Sequence, residues 1–267
     1  MARRATAIKK ERAENKGIVL LLDAGNTLVG QWLSVQTAGR VMVEAMNLMG
    51  YDALTLGQMD LALGLDVLKE RQAEAKFPFL SANLVSSSDL KPLFQPYVIL
   101  ERQGARIGII GLSEPQAAQA PGISDVAIVL PPVEAARQYV GELRDQVDIL
   151  IVLSHLGLEE DKTLAQVVSG IDIIVGGKTR QLMRQPEEVG HTLIVQQGYR
   201  GEWVGRLKAS FAADGLPEDY TEDIITLGPE YADDPEMVEI VQKWARLYPS
   251  PTPVPQPTEP PAPTPTP

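Results

Sequence analysis

Apolar and polar positions switch between two periods along the first 248 residues. Residues 18–22 form a continuous apolar run followed by Asp23-Ala24-Gly25-Asn26. Such a run predicts a strand buried on both faces that ends in a loop. Residues 35–49 have a helical apolar period and close at Gly50, a good C-cap. A short strand is expected at 52–56, a helix at 66–76 and a strand at 78–84. Segments 97–101 and 106–112 flank Gln103-Gly104 and read as a hairpin. Helices are expected over 133–144, 162–168 and 236–247, and strands over 147–153 and 171–175. Three strands then follow, at 191–197, 202–211 and 219–226, with a turn at 213–215. Asp233 or Asp234 is the expected N-cap of the closing helix, with Pro235 at its first position. The alternation argues for an α/β fold with more than one sheet.

Composition changes this picture at both ends. Residues 249–267 hold 10 of the 21 prolines, with one charge, Glu259. That Pro/Thr-rich tail cannot bury a core and is expected to be extended or disordered. Residues 1–248 make one domain, and no internal repeat divides it. Residues 2–15 have helix-forming composition, and their Lys and Arg side chains read as a solvated basic face. The net charge of −11 argues against a nucleic-acid partner. With no cysteine, disulfides, thiolate metal sites and cysteine nucleophiles are excluded. No apolar run reaches the length of a membrane span.

Four predicted strand ends carry glycine and polar residues. They are Asp23 to Asn26, Gly57 to Asp60, Ser154 to Gly157, and Gly177 to Arg180. Ligands of α/β folds bind beyond such ends. Around them lie Leu-Leu-Leu-Asp-Ala-Gly-Asn-Thr-Leu-Val-Gly (20–30), Met-Gly-Tyr-Asp-Ala-Leu-Thr-Leu-Gly (49–57) and Ile-Val-Leu-Ser-His-Leu-Gly-Leu (151–158). Gly-Ile-Asp-Ile-Ile-Val-Gly-Gly (170–177) and Ile-Val-Gln-Gln-Gly-Tyr-Arg-Gly (194–201) follow. In this order the phrases resemble the N-terminal metallophosphoesterase domain of the secreted 5′-nucleotidases and UDP-sugar hydrolases. The resemblance implies a four-layer α/β/β/α sandwich, here lacking the family's first strand and the Asp-x-His loop that follows it.

The resemblance also implies two metal ions that polarise a phosphate and activate water. This sequence departs from the ligand pattern. Asn26 stands where the family's bridging aspartate would, and Gln58 where an asparagine ligand would. Met59 replaces the transition-state histidine, and Ala62 the aspartate that orients it; Met59 is expected to pack in the core. His155 matches a ligand histidine. It is either a residual ligand or a strand-end histidine bonded to backbone. Lys178 and Arg180 replace two imidazoles. They are either solvated loop charges or an anion-binding pair that acts without metal, with Arg200 a weaker candidate. His191 is expected at the surface.

The expected function is a non-catalytic, 5′-nucleotidase-like binding or structural module for a small anion or phosphate-containing ligand, with no cofactor. The alternative is a metal-dependent hydrolase of nucleotides or other phosphate esters, using Mn, Zn or Co if an Asp-x-His loop lies upstream of Met1. The natural reading frame is expected to extend upstream. No signal peptide is visible. Export to the cell surface or envelope is expected from the resemblance, with the tail as a spacer or attachment.

Overall fold

The structure, a computed structural model, describes residues 1–212 and 217–250. The expected turn at 213–215 lies outside the described residues, as does the expected tail from 251 on. The chain opens with α1 (Ala2–Glu14), β1 (Leu22–Asp23), α2 (Trp32–Gln36), α3 (Arg40–Met49) and β2 (Ala53–Thr55). Next come α4 (Gln58–Leu61), α5 (Leu65–Glu74), β3 (Phe79–Leu80), β4 (Leu84–Ser86), β5 (Tyr97–Arg102), β6 (Ala105–Leu112) and β7 (Ala127–Val129). Then follow α6 (Pro132–Leu143), β8 (Ile149–Ser154), α7 (Leu158–Val167), β9 (Ile173–Gly176), β10 (Glu187–Val189) and β11 (Thr192–Val195). The hairpin β12 (Trp203–Phe211) and β13 (Pro217–Thr226) precedes α8 (Pro235–Leu247).

Three apolar clusters separate four layers. Strands β1, β2 and β3 form a parallel sheet, and β10-β11-β9-β8-β6-β5 a second sheet with a parallel centre. Period-two alternation along the central strands sends successive residues to opposite faces. Ile107, Ile109, Ile151, Leu153 and Ile173 meet Ala53 and Leu80 between the sheets. Their neighbours Ile110, Leu150, Val152 and Ile174 pack outward against Val140, Leu143 and Leu164 of α6 and α7. On the far side Leu54 and Phe79 pack against Ile8, Met46, Leu68 and Met237 of α1, α3, α5 and α8. Burial on both faces explains the continuous apolar runs of β6 and β8. The expected α/β/β/α layering is present.

Several boundaries differ from expectation. The helix expected over 35–49 is two helices, because Ala38 and Gly39 have φ of 45° and 80°. The strand expected over 78–84 splits into β3 and β4, which belong to different sheets. Between them the buried Asn83 exchanges hydrogen bonds with the backbone of Ser113, at 2.8 and 2.9 Å. Residues 18–22 are only half-buried, not covered on both faces. Among the described residues β1 pairs with β2 alone, so one edge of this run carries no strand. Nor is the basic side of α1 merely solvated. Lys9 lies 2.7 Å from both Asp234 and Glu236, and Arg12 lies 3.7 Å from Asp52. Asp234 is the N-cap of α8 and accepts the Met237 N–H. The short strands β7 and β10 were not expected.

Candidate functional site

The loops after β1, β2, β6, β8, β9 and β11 meet at one end of the sandwich. Their anchor is Asp60, fully buried in the first turn of α4. One carboxylate oxygen accepts the N–H groups of Asn26 (2.6 Å) and Gly57 (3.1 Å). The other accepts those of Thr27 (3.0 Å) and Leu28 (2.8 Å). Asn26 has a left-handed backbone, φ 58°. That turn points its N–H and the next two inward, where only a buried acceptor can satisfy them.

His155 follows β8 and is 2% exposed. Its Nδ1 lies 2.5 Å from the Ala24 carbonyl, an acceptor, so Nδ1 carries the proton. Nε2 is buried without a hydrogen-bond partner. Room for the ring comes from glycines. A Cβ on Gly57 would lie 2.7 Å from Nε2, and one on Gly177 would lie 2.8 Å from Nδ1. The Asn26 side-chain oxygen accepts the Met59 N–H at 2.8 Å. Gln58 offers only its N–H, which points to Glu114 at 3.3 Å, and its side chain is exposed. Met59 is 40% exposed, which corrects the expected core position. His191 is exposed, as expected.

Glu114 was not among the residues singled out from sequence. It follows β6 and is 4% exposed. Ser113 holds it there by donating to the Leu56 carbonyl at 2.8 Å. One Glu114 oxygen lies 3.8 Å from His155 Nε2, and the other lies 3.1 Å from Lys178 Nζ. The sequence cue was the same as for the other loops, a strand of apolar residues ending at a polar pair. Lys178 is therefore bound to a carboxylate. Arg180 is not beside it in that contact: its guanidinium lies 5.9 Å from the ring centre of Tyr199, and that of Arg200 lies 5.4 Å from the same ring. Tyr199 is 43% exposed, so this group forms the rim. Among the described residues neither guanidinium pairs with a carboxylate.

Behind His155 sits a second polar cluster that sequence reasoning missed. Ser154 donates to Asp161, whose second oxygen and the Gln196 side-chain nitrogen both press on Gly176. Thr179 donates to the Gln196 side-chain oxygen at 2.8 Å. Burial pushes the Asp161 carboxyl up to about 7, against the opposing pull of the Ser154 hydroxyl. Nothing in the sequence marks Asp161, which lies in an acidic first turn of α7 beside Glu159 and Glu160.

Comparison with known proteins places the chain. No protein-family model matches the sequence. The chain is 39% identical over 182 residues to a probable 5′-nucleotidase of Treponema pallidum (strain Nichols), covering 66% of this chain and 30% of that protein. It is 36% identical over 193 residues to a snake venom 5′-nucleotidase of Gloydius brevicauda, covering 68% of this chain and 32% of that protein. A 5′-nucleotidase precursor from Thermus thermophilus superposes with a TM-score of 0.82 at 29% identity, over 92% of this chain and 53% of that one. The chain thus spans about a third of the length of the two sequence relatives and about half of the structural one.

Two outcomes follow from this geometry. Asp60→Ala strands four N–H groups in the interior and should cost about 3 kcal/mol or more in urea unfolding. Asp161 keeps its proton in the folded chain up to about pH 7, whereas an unfolded aspartate loses it near 4. Between these values the folded chain binds the extra proton, so this group's contribution to stability falls as pH rises. Asp161→Asn should therefore flatten the decline in urea midpoint between pH 5 and about 8. An unchanged slope would refute the assignment.

Proposed function

Most of this chain is a calcineurin-like metallophosphoesterase domain of the 5′-nucleotidase type, and from that premise we propose that it is a non-catalytic module that binds a small anion. The observation that carries this reading is a cation in the site: Lys178 Nζ lies 3.1 Å from the buried Glu114 carboxylate, beside His155. His155 is the one histidine at the strand ends; its Nδ1 donates to the Ala24 carbonyl and its Nε2 has no hydrogen-bond partner. Phosphate-ester hydrolysis needs either a proton for the leaving oxygen or metal ions to stabilise it. Met59 stands where the resemblance implies the transition-state histidine, and a thioether has no proton to transfer.

The side chains present do not fit a pair of divalent ions. The Asn26 oxygen is engaged by the Met59 N–H, the Gln58 side chain is exposed, and Lys178 brings a positive charge to Glu114. Among the described residues no three His, Cys, Asp or Glu side chains gather as a metal would require. The anion falls to the rim, where Arg180 and Arg200 flank Tyr199 and Lys178 is committed to Glu114. Two free guanidiniums can take a phosphate or carboxylate by charge-assisted hydrogen bonds. Export to the cell surface or envelope belongs to the same reading and is supported by likeness to a venom nucleotidase. Among the described residues no helix is long and apolar enough to cross a membrane.

The competing reading, a metal-dependent phosphate-ester hydrolase, has one observation in its favour: a buried Nε2 without a hydrogen-bond partner suits a metal ligand. Phosphate release from nucleotides and p-nitrophenyl phosphate, with Mn²⁺, Co²⁺ or Zn²⁺, separates the two. We expect none above background, and turnover that disappears in His155→Ala would sink the non-catalytic reading. For the anion, titration with phosphate and sulfate in EDTA should raise the melting midpoint. Arg180→Ala with Arg200→Ala should abolish that rise; a response that survives both changes removes the rim from the proposal.

A further inference from the structure

A buried carboxylate at the strand ends calls for a positive charge. The Glu114 side chain is 5% exposed, and a carboxylate so placed is unstable without a partner. His155 Nε2 faces the same space without a hydrogen-bond partner, 3.8 Å from Glu114. The chain supplies a cation there. Lys178 leaves β9 with φ 65°, a backbone region that residues with a β-carbon seldom adopt. That turn runs the aliphatic stem over Gly157, where an added Cβ would lie 3.6 Å from the Lys178 Cδ. The ammonium then ends 3.1 Å from Glu114. Glycine at 157 is favoured by its φ of 108°, not by the stem, since a contact at that distance is ordinary.

We propose that Lys178, its side chain 34% exposed at the mouth of the site, is a tethered cation, which neutralises the buried Glu114 beside His155 and thereby keeps divalent metal ions out of the site. The inference rests on the metal-free reading above and gives it a cause. A divalent ion held by Glu114 and His155 Nε2 would lie within a few ångströms of the ammonium, and like charges at that distance repel strongly. Covalent attachment gives the ammonium an effective concentration that a free ion must compete against. Removing the ammonium while leaving Glu114 and His155 in place should convert the site into a weak cation site.

The test is thermal unfolding of the full chain in EDTA and in millimolar MnCl2 or ZnCl2. The wild-type midpoint should be the same in all three. Lys178→Met should lower the EDTA midpoint by about 5 °C, because it strands a buried carboxylate. Zn²⁺ or Mn²⁺ should restore much of that loss. Adding Glu114→Gln should recover stability in EDTA and remove the metal response. If Lys178→Met does not fold, the double variant carries the test, and a double variant that also fails to fold overturns the proposal. So does a Lys178→Met midpoint equal to wild type, or a metal response as large in the wild type as in the variant. Phosphate release by the wild type, read separately, would count against the non-catalytic reading itself. Its absence together with an indifferent Lys178→Met would sink only the tethered cation.

Discussion

The Asp60 carboxylate is the constraint on which the site depends. Two sheet strands, β1 and β2, end in loops whose N–H groups point inward, and one buried side chain accepts four of them. Through these bonds Ala24 and Asn26 acquire fixed places. Ala24 then orients His155 through Nδ1, and Asn26 caps the Met59 N–H. The imidazole is thus aligned by way of backbone that Asp60 fixes. The energetic justification of such an arrangement is backbone satisfaction.

The layering explains why so many loops converge. Parallel strands deliver all their carboxyl ends to one side, and the two sheets are held close by the apolar layer of Ile107, Ile151, Leu153 and Leu80. Ser113 shows how the close approach is used. Its hydroxyl reaches the Leu56 carbonyl of the other sheet's loop, while its backbone pairs with Asn83. Glu114 is carried into the site by that cross-sheet tie, and the charge balance follows from it. Lys178 meets Glu114 and no longer stands beside Arg180 as a pair of equals.

Much of the fold was legible in the sequence. Doubly buried strands announce themselves as unbroken apolar runs, and Gly50 and Asp234 mark helix ends by simple rules. The site was legible at the strand ends that carry glycine, because Gly25, Gly57 and Gly177 are needed where His155 packs against backbone. Glu114 and Asp161 were missed because their importance lies in burial, which a single acidic letter does not reveal. Met59 was misplaced because apolar character predicts burial only on average, and here the short helix α4 leaves its side chain exposed. The run 18–22 was misjudged for the opposite reason. Its composition is that of a central strand, but burial depends on neighbours on both edges.

The clasp between α1 and α8 has a kinetic meaning. Lys9 meets Asp234 across 225 residues of sequence, and Thr6 reaches the Ala232 carbonyl at 2.7 Å. Closing so long a loop yields nothing until the intervening layers have already brought its ends together. The contact therefore belongs to the last stage of folding, after the strands have registered. The helix pair covers Ala5 and Ile8 of one apolar cluster, so releasing it would expose them first to solvent.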